Sequence, residues 1–499
     1  MGLFAKFDMD ALNKNRKANY AAVIVAALVT AVLGVFAVDY WLASGPKMSL
    51  EAMVPGMAGR PDKAASGPLV KDLAGTFQSF EGVAGDLPGA WASFRGPNFD
   101  NVVQAGTPLA NEWPTEGPEV LWSVEIGEGY ASPVILNGRV YLLDYDQEEK
   151  ADAIRCFSLD DGREIWRRSY KLKIKRNHGM SRTVPAITEK YLVTVGPKCH
   201  VVCLDAATGD YRWGIDLQTD YGTTEPLWYT GQCPLIEDGN AIIAPSGTDT
   251  LMMAVRCETG EVVWKTPNAR GWEMSHSSII PMTILGKKMY VYAALGGLSG
   301  VSAEGDDIGE LLWDQTWGAT VVAPSPVQVE DDRIFMTAGY GSGSMMLQFS
   351  QVDGAYAIDI LYATEPDEGL ACEQQTPIYH DGLLYGIMPK DGGGLKNQFV
   401  CYRPDGTMAW SSGQDNRYGL GPFLVADNKF YLLSDDGVLT MADAQKDTFV
   451  KLGQTKIALL EGHDAWGPLA LAGDRLFLRN SAHMVCLNVG TSPAATSGS

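Results

Sequence analysis

Five tryptophans recur along the chain at nearly constant intervals, and each of them follows a glycine by four positions. Successive tryptophans are 47, 51 and 49 residues apart, and the last interval of 97 residues is close to two repeats. Self-similarity at a period near 50 residues indicates a repeat architecture, in which each unit packs against the next. One further copy, around residues 355–362, lacks its tryptophan. The five tryptophans are Trp166, Trp213, Trp264, Trp313 and Trp410.

A second marker opens each unit, where a small or polar residue and a proline precede an apolar run. Together with one copy that lacks the proline, at residues 277–278, these markers define eight units of about 45 to 52 residues. The prolines of the other seven copies are Pro133, Pro185, Pro234, Pro326, Pro377, Pro422 and Pro468.

Each unit has the pattern of four short strands, with turn dipeptides such as Asn137-Gly138 between apolar runs. Repeats of this length with four strands are typical of propeller blades. The last unit stops at Val489 after three strands, and the stretch 119–124 around Trp122 can supply the fourth and close the ring. The sequence therefore predicts an all-β, eight-bladed propeller with four-stranded blades over residues 91–489. A β-sandwich array or a solenoid is the alternative.

A long apolar segment precedes the repeats. Residues 21–38 contain no charge, and extending the run to 20–42 gives enough residues to cross a bilayer as one helix. Four basic residues come before the run, which predicts an N-terminal tail, residues 1–19, in the cytoplasm and a propeller in the periplasm or outside the cell. A cleaved signal peptide is the alternative. The basic residues are Lys6, Lys14, Arg16 and Lys17.

Residues 43–90 are rich in Gly, Ala, Pro and Ser and are predicted to form a flexible tether. Leu69, Leu73, Phe77 and Phe80 recur in it at helical spacing, which predicts one short amphipathic helix that docks on the body. Residues 490–499 are predicted to be a disordered tail.

The charge of the chain excludes one class of partner. Its 39 basic and 60 acidic residues give a net charge of −21, so the electrostatic attraction that nucleic-acid-binding proteins need is missing. We therefore expect no nucleic-acid partner.

The repeat signature LDAATGDYRW at residues 204–213 resembles the repeat of the pyrroloquinoline-quinone (PQQ) dehydrogenase-like propellers, and WASFRGPN at 91–98 is similar to the start of bacterial PQQ-like propeller repeat proteins of the cell envelope. The resemblance covers roughly residues 91–489. It implies that the repeat tryptophans dock each outer strand on the neighbouring blade. It leaves the function open, because the superfamily includes quinoprotein alcohol dehydrogenases and also envelope scaffolds. The docking residues would be Trp122, Trp166, Trp213, Trp264, Trp313 and Trp410.

In a propeller, the loops that lead into the innermost strands converge on one mouth of the central channel. The residues at these positions are aromatic, cationic and acidic, a composition that suits either a planar anionic cofactor or a protein partner. Packing and solubility alone would also explain it. The predicted mouth residues are Tyr130, Arg182, Trp228, Gln232, His276, Trp317, Glu373, Gln374, Arg417, Tyr418, His463, Asp464 and Trp466.

Motifs of known catalytic sites are absent from the sequence. It contains no adjacent cysteines, which the resemblance to alcohol-type quinoproteins would lead one to expect, and no calcium loop, CxxCH, HExxH or GK[ST] motif. Residues 339–344, GYGSGS, are predicted to form a hairpin turn. No resident cofactor is therefore predicted, with PQQ and calcium as the alternative.

The cysteines also fit the repeats. Five of them are assigned to the same site on the third strand of five blades, where they would be buried thiols too far apart to form disulfides. These are Cys156, Cys203, Cys257, Cys401 and Cys486.

The sequence thus favours a membrane-anchored propeller that binds a protein partner as a scaffold in a membrane complex. A membrane-bound PQQ-dependent dehydrogenase and a sugar or polymer binder are the alternatives.

Overall fold

The computed structural model describes residues 24–25, 27–38, 40, 72–103, 106, 108–444, 447–462 and 464–491. Residues 24–25, 27–38 and 40 are helical, and part of the predicted membrane helix 20–42 lies outside the described residues. Among the residues described, no helix combines the length and the hydropathy that crossing a bilayer requires. The predicted cytoplasmic tail, the tether before residue 72 and the tail after residue 491 lie outside the described residues.

Three strands precede the first complete blade: β1 (Thr76–Ser79), β2 (Val102–Val103) and β3 (Glu119–Glu125). Blades 1 to 4 contain β4 to β19: Val134–Leu136, Arg139–Asp146, Ala151–Ser158, Glu164–Lys171; Ala186–Ile187, Tyr191–Val195, His200–Asp205, Tyr211–Asp216; Leu235–Glu237, Asn240–Ile243, Thr250–Arg256, Val262–Pro267; Ile280–Ile284, Lys287–Ala294, Gly296–Ser302, Leu311–Trp317. Blades 5 to 8 contain β20 to β34: Val327–Val329, Arg333–Ala338, Gly343–Val352, Ala355–Thr364; Ile378–His380, Leu383–Ile387, Phe399–Tyr402, Met408–Ser411; Phe423–Ala426, Lys429–Leu433, Val438–Asp443, Val450–Lys456; Ala470–Ala472, Arg475–Arg479, His483–Asn488. Short helices occur at Leu217–Tyr221, Gly393–Leu395 and Ala458–Leu460.

Each blade is an antiparallel sheet whose strands are paired in chain order from the innermost to the outermost. Blade 8 takes its fourth strand from the other end of the repeats, because β3 pairs with β34 and sets Trp122 opposite Cys486. This pairing closes the ring without leaving an open blade. The predicted eight-bladed propeller with four-stranded blades is confirmed.

The glycine and the tryptophan of the repeat signature meet across neighbouring blades. Trp166 of blade 1 lies against Gly209 of blade 2, where a Cβ would come within 2.8 Å of the indole ring. Gly209 also has a φ of 73°, which favours glycine. In the same way Trp213 packs against Gly260, and its indole N–H donates to the carbonyl of Cys257 at 2.8 Å. The repeated glycine therefore leaves the space in which the tryptophan side chain of the preceding blade packs.

Two blades lack a tryptophan at this register, one more than the sequence pattern indicated. In blade 5 the position is Tyr362, which pairs with Met346 and lies against Gly406 of the next blade. In blade 7 the position is Gly453, and Trp113 from the segment before β3 lies over it. The missing ring in blade 7 is thus replaced by one from outside the repeat.

The segment 91–103 closes one end of the central channel. Trp91 pairs antiparallel with Ile135 of β4, and β2 pairs parallel with β28, so the segment enters and leaves at the end where the first hairpin turn of each blade lies. Both partners are innermost strands, which places the segment inside the ring. We call residues 91–103 the channel plug.

The predicted short helix at residues 69–80 is wrong. Leu69 lies outside the described residues, and Thr76–Ser79 form β1, which pairs antiparallel with β7 at the outer edge of blade 1. Phe77 packs against Trp166, with ring centroids 6.4 Å apart. The free edge of β7 offers backbone hydrogen bonds to an extended segment, and this outweighs the helical spacing of the apolar residues.

The assignment of Cys257 to the common cysteine site is also wrong. Cys156, Cys203, Cys401 and Cys486 each face a tryptophan across a strand pair, but Ala254 takes that place opposite Trp264 in blade 3. Cys257 lies after β14, and its carbonyl oxygen accepts the thiol of Cys203 at 3.4 Å. All eight cysteines are buried, and none of them forms a disulfide.

Candidate functional site

The channel end opposite the plug's point of entry is the mouth. It is formed by the loops that lead into the innermost strands and by the turns between the second and third strands of the blades. Some of the predicted mouth residues form two groups with direct contacts, one centred on Arg182 and the other on Trp466.

Arg182 lies between blades 1 and 3. Its Nε donates to the carbonyl of Trp228 at 2.5 Å, and its Nη2 donates to the carbonyls of Asn177, at 3.1 Å, and His178. Its Cζ lies 5.0 Å from the ring centroid of Tyr130, a cation–π contact. Burial lowers the pKa of Arg182 to about 10. Among the described residues, no carboxylate lies within ion-pair distance of it, so backbone carbonyls and an aromatic face stabilise this cation.

Trp228 stacks on residues from two other blades. Its ring centroid is 5.6 Å from that of Tyr340, at an interplanar angle of 30°, and 6.2 Å from that of His276, at 26°. Burial, followed by the positive charge of Arg182, lowers the pKa of His276 to about 3. The imidazole is therefore neutral at physiological pH and acts as part of an aromatic stack.

The second group joins blade 8 to blades 1 and 7. Trp466 donates from Nε1 to Oδ1 of Asp435 at 2.6 Å, and its ring centroid is 5.3 Å from that of Tyr130. The Tyr130 hydroxyl donates to Oδ2 of Asp464 at 3.3 Å. Burial raises the pKa of Asp435. Because Tyr130 contacts both Arg182 and Trp466, it connects the two groups into one surface.

Glu373 is a nearly buried carboxyl group at the same mouth, 7% exposed. Burial raises its pKa, while Lys390 opposes the shift. Burial, followed by the negative charge of Glu373, raises the pKa of the Tyr340 hydroxyl. Glu373 therefore lies near the ring on which Trp228 stacks.

Three predicted mouth residues belong to neither group. Two of them are buried in the blades, and the third bonds to a backbone carbonyl nearby. Gln232 is fully buried and bonds both backbone groups of Ala244, and Tyr418 is 1% exposed in the core of blades 6 and 7. Neither is available to a ligand. Arg417 is exposed and donates to the carbonyl of Lys396 at 2.9 Å, within its own blade.

The remaining predicted residues take no part in the two groups as far as the structure describes them. Trp317 ends β19 and packs partly buried against the core of blades 4 and 5. Gln374 is partly exposed beside Glu373. His463 lies outside the described residues.

Comparisons with known proteins agree with this architecture. A family model described as "Outer membrane protein assembly factor BamB" matches residues 150–385. The solved structure of BamB from Moraxella catarrhalis superposes with a TM-score of 0.51 and 13% identity, over 75% of this chain and 99% of that one. The chain has the fold of a PQQ-like β-propeller.

Two enzyme structures share the PQQ-like propeller fold. The quinohemoprotein alcohol dehydrogenase ADHIIG from Pseudomonas putida HK5 gives a TM-score of 0.52 at 13% identity, over 83% of this chain and 82% of that one. A europium-containing methanol dehydrogenase gives 0.53 at 11% identity, over 79% and 89%. At these identities the likeness shows the fold alone. No curated protein sequence matches the chain.

In the described part of the mouth, the side chains that could hold PQQ are already engaged with other groups of the protein. Calcium requires several oxygen ligands, and among the described residues no three His, Cys, Asp or Glu side chains converge on one point. The guanidinium of Arg182, which could take a carboxylate of the quinone, donates to backbone carbonyls. Trp228, which could stack on the quinone ring, stacks on Tyr340 and His276.

Three further residues belong to the mouth and were not predicted from the sequence, namely Tyr340, Lys390 and Asp435. Tyr340 and Asp435 lie in the turns between the second and third strands of blades 5 and 7. These turns open at the same end as the loops before the innermost strands. Counting both kinds of turn in each repeat would have identified them.

Proposed function

We propose that this PQQ-like propeller is a membrane-anchored scaffold outside the cytoplasm that binds a protein partner at its mouth. The observation that carries the proposal is the contact chain from Trp466 through Tyr130 and Arg182 to Trp228. Trp466 packs on Tyr130, Tyr130 packs on Arg182, and Arg182 donates to the backbone carbonyl of Trp228. The side chains of Trp466, Arg182 and Trp228 remain partly exposed. Trp, Tyr and Arg held in place before binding are the residues that dominate protein interfaces.

Two further points support the proposal. The matched family model bears the name of an outer membrane protein assembly factor, which is a function in protein assembly. The apolar run 20–42 with its preceding basic residues favours an anchor that holds the propeller outside the cytoplasm. A scaffold anchored in this way would act in a membrane complex.

The test is co-purification of membrane partners with the full chain in mild detergent. We expect Trp466→Ala to reduce recovery of the partner at least tenfold, because a central aromatic anchor is lost. Trp466→Phe should retain most of the recovery, and Arg417→Ala, an exposed change within blade 6, should leave it unchanged. Unchanged melting of each variant is the control for folding.

The same preparation distinguishes the alternatives. It is incubated with PQQ and calcium and then scored for retained quinone absorbance and for dye reduction with alcohols and sugars. Retention with turnover would support a dehydrogenase and overturn the scaffold. Binding of a soluble polysaccharide that Trp466→Ala abolishes, without any protein partner, would support the polymer binder.

A further inference from the structure

The outer hairpin of blade 5 differs from those of the other blades. Its outermost strand β23 has ten residues, whereas the outermost strands of the other blades have four to eight. Three apolar side chains of this hairpin are strongly exposed, with Val352 at 59%, Ile360 at 51% and Leu361 at 49%. Proteins normally shorten or blunt such an edge, because it can pair with another chain.

The backbone of β23 presents regular hydrogen-bonding groups to the outside. Asp353 and Gly354 have φ values of 52° and 81°, which is the geometry of a two-residue type I′ turn closed by the hydrogen-bonded pair Val352 and Ala355. Alternation along the antiparallel pair then points the N–H and C=O groups of Tyr356, Ile358 and Ile360 away from β22. Within the described residues, β23 is the last strand of its sheet.

The charged residues of this hairpin and of the segment that follows it are all acidic, and Lys287 and Arg333 of neighbouring strands lie near Tyr356 and Tyr362. Residues 351–368 contain five acidic residues and no lysine or arginine. An extended segment that pairs with β23 would therefore be favoured if it carried basic side chains between its apolar ones. The acidic residues are Asp353, Asp359, Glu365, Asp367 and Glu368.

The propeller already contains one pairing of this kind. At the outer edge of blade 1, β1 pairs with β7 over four residues, and Phe77 lies 5.4 Å from Cζ of Arg168 on the strand that it joins. This contact combines strand addition with an aromatic–cation pair. The outer edge of a blade in this fold therefore accepts an extended segment, and β23 is the longest outer edge.

We infer that β23 is a docking strand for an extended segment of a partner protein in which apolar residues alternate with Lys or Arg. The segment would add to blade 5 as a fifth strand, with its backbone bonded to Tyr356, Ile358 and Ile360 and its apolar side chains against Ile360 and Leu361. This inference rests on the proposed function in one respect, namely that the partner is a protein.

The experiment uses the full chain in detergent and two labelled ten-residue peptides, measured by fluorescence anisotropy. One peptide alternates Val and Thr with Lys, and the other has Glu in place of each Lys. We expect the lysine peptide to bind at least tenfold more tightly than the glutamate peptide, and we expect the difference to shrink as salt is raised.

Two pairs of variants separate backbone pairing from charge. Ile360→Pro removes an outward N–H without removing a bond to β22, and should weaken the lysine peptide at least tenfold, whereas Ile360→Val should stay within twofold. Ile360→Lys should weaken it similarly, whereas Val262→Lys, on the outer strand of blade 3, should not. If the proline variant fails to fold, the comparison of Ile360→Lys with Val262→Lys still tests the inference.

Equal affinity for the two peptides would overturn the inference that β23 is a docking strand. So would an affinity for the lysine peptide that neither Ile360→Pro nor Ile360→Lys changes. If Trp466→Ala still releases the membrane partner in that case, the proposed function stands. If the peptide binds at β23 as expected but no partner depends on Trp466, the proposed interface at the mouth is wrong and the docking strand stands.

Discussion

The guanidinium of Arg95 donates a hydrogen bond of 2.9 Å to the carbonyl of Thr376, which lies 281 residues later in the chain. The same side chain donates to the carbonyls of Phe99, Asp100 and Pro377 at 2.8 to 3.0 Å and is 4% exposed. One arginine thus shapes the turn of the channel plug and ties it to blade 6.

Arg95→Ala should lower the free energy of unfolding by about 3 kcal/mol or more, because it leaves four carbonyls without their donor. Arg95→Lys should recover little of the loss, since an ammonium group cannot reach all four carbonyls. Urea unfolding of the full chain measures both, with the exposed Arg417→Ala as a control that should change stability by less than about 0.5 kcal/mol. A loss below about 1 kcal/mol for Arg95→Ala would contradict a structural role for the plug.

Ring closure depends on Trp122. It is 7% exposed on β3, packs edge-on against Phe477 with centroids 5.6 Å apart, and donates from Nε1 to the carbonyl of Leu159 at 3.0 Å. Trp122→Ala should cost about 3 to 5 kcal/mol, with earlier cooperative unfolding. Val120→Ala on the same strand is the matched control, because Val120 is 44% exposed and should contribute less than about 0.5 kcal/mol. Similar losses of unfolding free energy for Trp122→Ala and Val120→Ala would argue against a role of Trp122 in ring closure.

Asp152 should make stability dependent on pH. It is 1% exposed, and burial raises its pKa to about 7, although the hydroxyls of Tyr170, at 2.5 Å, and Ser181, at 3.4 Å, donate to it. A carboxyl with a higher pKa in the folded chain favours folding when protonated. Its contribution is full below about pH 4 and is lost as pH rises through 7.

Asp152→Asn keeps an oxygen acceptor but does not titrate. The stability of the natural protein relative to this variant should therefore fall by about 3 kcal/mol between pH 4 and pH 8. His200, whose pKa burial lowers to about 4, acts in the opposite direction between pH 6.5 and 4. Because His200 is present in both proteins, the difference isolates Asp152. A difference that is constant with pH would refute this role.

The cysteines should be reduced and unreactive. Burial raises the pKa of Cys199 and Cys486 to about 12 and that of Cys401 to about 11, so little reactive thiolate forms at these sites. The hydrogen bond with Cys203 lowers the pKa of Cys257, and there the burial of the side chain excludes the reagent. A thiol reagent at pH 8 should label none of the eight cysteines in the folded chain and all eight after denaturation without reductant. A count of six would indicate one disulfide, with Cys203 and Cys257 as the first pair to examine.

The repeat pattern was sufficient to predict the number of blades and the closure by residues 119–124, because period and turn chemistry are local properties of the sequence. It was not sufficient at Cys257, because the cysteine of blade 3 lies three residues after Ala254, which takes the place opposite the tryptophan. Gly453 was also missed, because the ring that covers it comes from Trp113, outside the repeat. Errors of this kind arise where tertiary contacts replace a repeated one.

The mouth was predictable in outline only. Loop position was enough to locate Arg182 and Trp228 at the channel mouth, but it could not distinguish them from Gln232, which blade packing buries. Nor could it indicate Tyr340, whose role depends on a stack between blades 3 and 5. The side chains that meet across the channel are set by the closed ring, and no local pattern contains that information.

The channel plug also has a consequence for how the chain reaches its native state. Its hydrogen bonds to blades 6 and 7 span 281 to 322 residues, so they raise the contact order and form only after most of the chain has been synthesised. Because the plug enters and leaves at one end of the channel, no terminus has to be threaded through the ring. The blades can assemble around a loop that was made first, and completing this assembly should be the slow step of refolding.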